Sequence, residues 1–127
     1  MKYLLDTHAL IWSLEEDKQL SITAQNIIAD ENNQIFASVV NLWEMAIKIS
    51  IGKLQLQQSL EQVIDKIDEY DISLLPIKPT HVVKVRDLSF EHNDPFDRLL
   101  IAQCLQEDMA FISNEVLFLR YGVNRIW

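Results

Sequence analysis

The sequence predicts an α/β fold with a mostly parallel sheet covered by helices on both faces. Short apolar or β-rich runs alternate with longer stretches of helical period along the whole chain, and right-handed crossovers turn such an alternation into a parallel sheet. The first apolar run, Tyr3-Leu4-Leu5, closes on a carboxylate, Asp6, and Thr7-His8-Ala9-Leu10-Ile11-Trp12 follows at once with a helix-like pattern. Asp94-Pro95-Phe96-Asp97 then reads as a helix start, with Asp at the N-cap, Pro at the first helical position and an acid in the first turn.

The elements follow in order. Residues 2–6 form the first strand, and 7–14 and 21–31 are helices, the second capped by Ser21 or Thr23. Ile35-Phe36-Ala37-Ser38-Val39 is the second strand, and a helix from about residue 40 ends at Gly52. That helix is apolar almost all round and is expected to be largely buried. Leu60, Val63, Ile64 and Ile67 make the stripe of an amphipathic helix over 59–70. Ile72-Ser73-Leu74-Leu75 is a third strand, a helix covers 79–88, and a polar loop, Glu91-His92-Asn93, leads into the helix from Asp94 to about Asp108. Met109-Ala110-Phe111-Ile112 is the fourth strand, a short helix spans 114–121, and Val123-Asn124-Arg125-Ile126 is the last strand.

At 127 residues and 49% hydrophobic composition the chain fits one domain with a proper core. Its apolar runs are too short to span a membrane, and its N-terminus lacks the pattern of a signal peptide. One cysteine, Cys104, forbids an internal disulfide and suits a reducing cytosol. Lying on the apolar stripe of a helix, it is expected to be a buried structural thiol. The net charge of −8 argues against a basic nucleic-acid footprint. Acids gathered around a divalent cation would reverse the local field, so their placement matters more than their sum.

Strand C-termini and the N-termini of the following helices share one edge of an open sheet, where crevices form. Four acids fall there. Asp6 ends strand one, Glu44 lies early in the helix after strand two, Asp97 opens the helix before strand four, and Glu115 lies just beyond that strand, after Ser113. Asp6 is equally an N-cap candidate. Asn41, Glu44 and Lys48 make a single polar stripe on the apolar helix, whose competing reading is an exposed seam with a Glu44–Lys48 pair worth about 0.3 kcal/mol. Asp97 is expected to face the crevice because it precedes Leu100, Ile101 and Cys104 on the core-facing stripe, whereas Asp94 is assigned to capping, with a supporting role as the alternative.

Leu4-Leu5-Asp6-Thr7-His8, Trp43-Glu44, His92-Asn93-Asp94-Pro95-Phe96-Asp97-Arg98-Leu99-Leu100-Ile101-Ala102-Gln103 and the ending Tyr121-Gly122-Val123 to Trp127 together resemble PIN-domain proteins, most closely the VapC-like ribonuclease toxins of toxin–antitoxin pairs. The resemblance covers essentially the whole chain. It implies a three-layer α/β/α sandwich and carries the family's acidic positions onto Asp6, Glu44 and Asp97. The fourth position, usually an aspartate, falls at Glu115, whose extra methylene implies reach to an ion through water. Ser113 matches the family's hydroxyl position, with Asn41 and Asp94 in support.

The activity implied is Mg²⁺- or Mn²⁺-dependent hydrolysis of RNA phosphodiesters in the cytoplasm, by in-line attack of water. The partners implied are RNA, a cognate antitoxin and a second copy of the chain in a homodimer. Mg²⁺ suits this donor set because it prefers oxygen, keeps several waters and takes one or two carboxylates directly. Lys48, Arg98 and His8 are the candidate substrate contacts, with Lys53 and Arg86 behind them. His8 also has a structural reading on a partly apolar helix face. His81 and His92 lack zinc-ligand spacing. Trp12, Trp43 and Trp127 are expected in core or dimer contacts. A receiver or haloacid-dehalogenase domain is excluded by the missing paired early acids and Asp-x-Asp, and a nucleotide loop by the missing Gly-rich segment. A non-catalytic RNA- or protein-binding module of the same fold is the alternative.

Overall fold

The computed structural model describes residues 1–127. Its elements are β1 (Lys2–Leu5), α1 (Thr7–Leu14), α2 (Ile22–Ala29), β2 (Gln34–Ser38), α3 (Val39–Ser50), α4 (Leu60–Glu69), β3 (Ser73–Leu75), α5 (Pro79–Asp87), α6 (Pro95–Glu107), β4 (Ala110–Ile112), a 3₁₀ helix (Val116–Tyr121) and β5 (Arg125–Ile126). The five strands form one sheet in the order β3-β2-β1-β4-β5, and every neighbouring pair is parallel. The alternation of strands and helices read from the sequence is the one observed, within a residue or two at most ends.

The sheet is apolar on both faces, as a parallel sheet between helical layers must be. In β1, Tyr3 and Leu5 enter one core with Ile35, Ala37, Ala110 and Ile112, under Ala9, Leu10, Ala24, Val63 and Ile67 from the helices. Leu4 and Phe111 point the other way, into a second core with Leu100, Ile101, Cys104 and Phe118. Phe111 stacks on Phe118 with ring centroids 5.1 Å apart. Cys104 is buried and unpaired, and burial pushes its thiol well up. No helix is long and apolar enough to cross a membrane.

Caps set the helix starts. Ser21, not Thr23, caps α2 by accepting from Ala24, and Ser59 and Gln62 form a reciprocal capping box on α4. Asp94 caps α6 through the N–H groups of Phe96 and Asp97. Residues 114–121 are the main local difference, since the helix there is 3₁₀ and begins only at Val116.

A second difference concerns α3. Only Val40, Asn41, Glu44 and Met45 of this helix are buried, while Trp43 (45% exposed), Ile47 and Ile49 face outward. The reason is its place at the end of the sheet, where it touches α1 and α4 of one layer and α6 of the other. Only one stripe of α3 therefore turns inward. That stripe sets Asn41 and Glu44 between Val40, which enters one core, and Met45, which enters the other.

Candidate active site

The strand order reverses beside β1: the chain moves outward through β2 and β3, then returns to add β4 and β5 on the other side. Such a switch point opens a crevice at the carboxyl ends of the strands. Asp6 and Ser113, the residues that follow β1 and β4, flank it, and the Asp6 N–H donates to the Ile112 carbonyl at 3.0 Å.

Asp6 is the N-cap of α1 and lies at the crevice. Its Oδ1 accepts from the Ala9 N–H at 2.7 Å, yet the carboxylate is almost fully buried, and burial raises its pKa. The Ser113 hydroxyl, the Ala9 N–H and the charge of His8 oppose the rise, while the charge of Glu44 adds to it. Ser113 itself is fully buried and accepts from the Glu115 N–H.

Glu44 is 3% exposed and held from two sides. Thr7 Oγ1 donates to its Oε1 at 2.5 Å, and the Lys48 ammonium is ion-paired to its Oε2. Thr7 Oγ1 in turn accepts from Asn41 Nδ2 at 3.0 Å. Asn41 is fixed because its Oδ1 accepts from the Ser38 N–H at 2.7 Å, half of a capping box on α3. Ser38 Oγ donates to Gln103 Oε1 at 2.6 Å, so a line of buried polar side chains runs from α6 under α3 to Glu44. The competing reading of an exposed Glu44–Lys48 seam fails, because the pair is a buried carboxylate with a partly exposed ammonium. Burial works against the charge on Lys48. Its hydrogen bond and ion pair with Glu44, together with the charges of Asp94 and Asp97, still raise its pKa.

Asp97 lies on the first turn of α6, with the Asp94 cap beside it. Its pKa is pushed up to about 6, chiefly by burial and further by the charges of Asp94 and Glu44, against a hydrogen bond from His92. The charge of Glu44 therefore acts on both Asp6 and Asp97, which puts these three carboxylates in one field. Glu115 stands apart. It is exposed and accepts from the Leu117 N–H at 3.1 Å, capping the 3₁₀ helix.

The proposed substrate contacts separate. Lys48 stays at the crevice. Arg98 is buried, contrary to its reading as a substrate contact. Its Nη1 donates to the carbonyls of Ser89 (2.7 Å) and His92 (3.3 Å) and to the Tyr121 hydroxyl, and its Nη2 to the carbonyls of Val85 and Leu88. Phe90 covers the guanidinium 4.3 Å from its ring centre. Arg98 thus ties down the end of α5 and the loop after it, serving the carbonyls of Leu88, Ser89 and His92, which no strand or helix satisfies. His8 is exposed next to Asp6, its ring 5.5 Å from Trp12, so the structural reading of a hydrogen-bonded helix histidine does not apply. Arg86 pairs with its neighbour Asp87 at the surface.

Sequence reasoning missed Thr7, His92 and Gln103. Thr7 adjoins Asp6 and its hydroxyl type was a usable signal; the partners of His92 and Gln103 are set by loop and helix packing that no periodicity encodes. His81, fully buried, accepts at Nδ1 from the Lys78 N–H at 3.0 Å and contacts Glu107 at 2.8 Å through Nε2. It serves the α5–α6 contact, not the crevice.

The donor set fits a hard divalent cation. Asp6 and Asp97 offer carboxylate oxygens whose charged forms are disfavoured by burial and by one another's neighbours, which a cation would relieve. No three His, Cys, Asp or Glu side chains stand close enough in this conformation to form a closed cage of ligands. Mg²⁺ needs none, since one or two carboxylates and several waters complete its shell.

Fold and sequence together define the class: the chain belongs to the PIN-domain family, whose model matches residues 3–124. Among solved structures it is similar to VapBC2 from Rickettsia felis bound to a DNA fragment from its promoter, at 17% identity and a TM-score of 0.71, covering 99% of this chain and 98% of that one. It is similar also to VapBC-1 from nontypeable Haemophilus influenzae (17% identity, TM-score 0.69, 99% and 97% covered) and to DNA-bound VapBC from Salmonella typhimurium (14%, 0.70, 99% and 97%). At these identities the likeness is one of fold. No curated protein sequence matches the chain significantly.

Proposed function

We propose that the protein is a Mg²⁺- or Mn²⁺-dependent endoribonuclease acting in the cytoplasm, the toxin of a toxin–antitoxin pair. The observation that carries the reading is the shared field of Asp6, Glu44 and Asp97 at the switch point of the sheet, inside a PIN-domain chain. Asp6 and Asp97 would hold the ion directly, with Glu44 and Ser113 reaching it through water. The ion would supply a more acidic water and offset the charge that develops on a phosphoryl oxygen.

The chain's own groups do the rest. Thr7 and Asn41 hold one oxygen of Glu44 in a fixed direction, and Lys48 neutralises the other while standing at the mouth where a phosphate would enter. Asp97, with a carboxyl near 6 before the ion binds, would give up its proton on binding it, so the ion should be held more tightly as pH rises through that value. Glu115, spent on its cap, is assigned no direct part. The outward apolar residues Trp43, Ile47 and Ile49 of α3 offer surface for the protein partners implied by the family, an antitoxin and a second copy of the chain.

The test is cleavage of a mixed RNA pool by purified, antitoxin-free protein. Wild type should cut with Mg²⁺ or Mn²⁺ and stop in EDTA, and Asp6→Asn should leave the RNA intact. If both proteins bind RNA and neither cuts it, the chain is a non-catalytic binding module.

A further inference from the structure

His92 lies in the loop between α5 and α6, and its ring Nε2 is 2.6 Å from Oδ2 of Asp97. An ionised carboxylate only accepts, so Nε2 carries the proton and donates. The ring is held in place. Its own backbone carbonyl accepts from Arg98, and its ring centre lies 5.8 Å from that of Phe118, which is fully buried and stacked on Phe111.

Arg98 has its place in this arrangement. Asp94 starts α6, Asp97 follows on its first turn, and Arg98 reaches back from the same turn to the carbonyls of Val85, Leu88, Ser89 and His92. The residue beside the acid thereby folds the loop so that the histidine meets the acid. An exposed polar loop would not otherwise keep a ring within hydrogen-bond distance of a half-buried carboxylate, because fixing each residue's backbone costs about 1–2 kcal/mol.

We propose that His92 is the positioning residue of Asp97: by binding Oδ2 it fixes the carboxylate plane and leaves Oδ1 as the oxygen presented to the ion. The role rests on the metal-dependent reading above. Groups that hydrogen-bond a ligating side chain usually change metal affinity by about 10–100-fold when removed.

The test is Mn²⁺ binding to the intact, antitoxin-free protein, followed by electron paramagnetic resonance and calorimetry, with no RNA present. His92→Ala should weaken Mn²⁺ by at least about tenfold. His92→Gln, whose amide N–H can take the place of Nε2–H, should recover most of that loss. Thermal midpoints in EDTA keep misfolding apart from loss of positioning, and the RNA assay should show the His92→Ala defect relieved by raised Mn²⁺. If His92→Ala binds Mn²⁺ as wild type does yet fails to cleave, His92 contacts substrate and the positioning role is overturned. If Gln and Ala are equally impaired, the N–H donor is not what matters, and the proposal also fails. If wild type itself binds no Mn²⁺, the metal-dependent reading falls first and takes the proposal with it.

Discussion

The hydroxyl of Thr7 donates to Glu44 across 2.5 Å, joining the first residue of α1 to the middle of α3 over 37 positions of sequence. The same oxygen accepts from Asn41, so one small side chain satisfies an acid and an amide inside the protein. Thr7→Val keeps the shape and removes both partners. It should destabilise the protein by about 1–3 kcal/mol, since two buried polar groups lose their bonds, whereas Thr7→Ser should stay close to wild type. Urea denaturation of the three proteins decides it, and equal midpoints for Val and wild type would show that water replaces the hydroxyl.

Asp97 links stability to pH with a definite sign. Its folded pKa, about 6, lies above the ordinary 3.8, so the folded state binds the proton more tightly than the unfolded chain. Its contribution is full below the ordinary value and is lost as pH rises through about 6. Asp97→Asn removes the slope. The variant should gain on wild type between about pH 4 and pH 7, by an amount on the order of 2 kcal/mol reduced by the weakened His92 bond. Parallel stability curves for the two proteins across that range would refute the assignment.

A divalent cation should raise the thermal midpoint. Binding to the folded state alone adds about 2.7 kcal/mol at a hundred times the dissociation constant. The rise should be larger well above the pKa of Asp97 than below it, because protons compete for that carboxylate. Asp6→Asn and Asp97→Asn should abolish it. Scanning fluorimetry with Mg²⁺, Mn²⁺ and EDTA reads all three statements, and a rise of equal size in the Asp6→Asn protein would place the ion elsewhere.

Glu115 should matter little to cleavage. Its carboxylate is exposed and occupied by the Leu117 N–H. Glu115→Gln should keep RNA cleavage within about tenfold of wild type, while Asp6→Asn should lose about 100-fold or more, the scale of removing a group that stabilises developing charge. Matching losses in single-turnover cleavage would restore Glu115 to the site.

Arg98→Lys is not a conservative change. A lysine ammonium cannot fork to the carbonyls of Val85, Leu88, Ser89 and His92 at once. Loss of about 2–4 kcal/mol is expected from the orphaned loop carbonyls. Hydrogen exchange should quicken over residues 88–93 first, and unchanged exchange there would show that the loop holds itself.

Periodicity and caps, both local properties, made most of the fold legible. Leu4 and Phe111 on one face and Leu5 and Ile112 on the other follow from short apolar runs that a two-sided sheet requires. Asp94 was legible as a cap because Asp-Pro-x-Asp satisfies the free N–H groups of a helix start whatever lies around it. Parallel topology sends strand ends and helix starts to the same side, and on that ground the sequence places Asp6, Glu44, Asp97 and Glu115 at one edge.

Tertiary structure decided what each side chain does there. The apolar α3 read as largely buried, yet its position at the end of the sheet leaves Trp43 and Ile47 outside and turns Asn41 and Glu44 in. Arg98 read as a phosphate contact and became a buried clasp, because the carbonyls it serves belong to the end of α5 and the loop after it, up to 13 residues away. His92 read as a loop residue and met Asp97 only through that clasp. The sequence by itself determined the elements and their parallel direction, since these rest on spacing within short windows and on the alternation of strand and helix, whereas the strand order came from the folded chain. Which acid is freed, which is capped and which is held by a neighbour depended on hydrogen-bond partners brought together by packing, and only the folded chain specifies those.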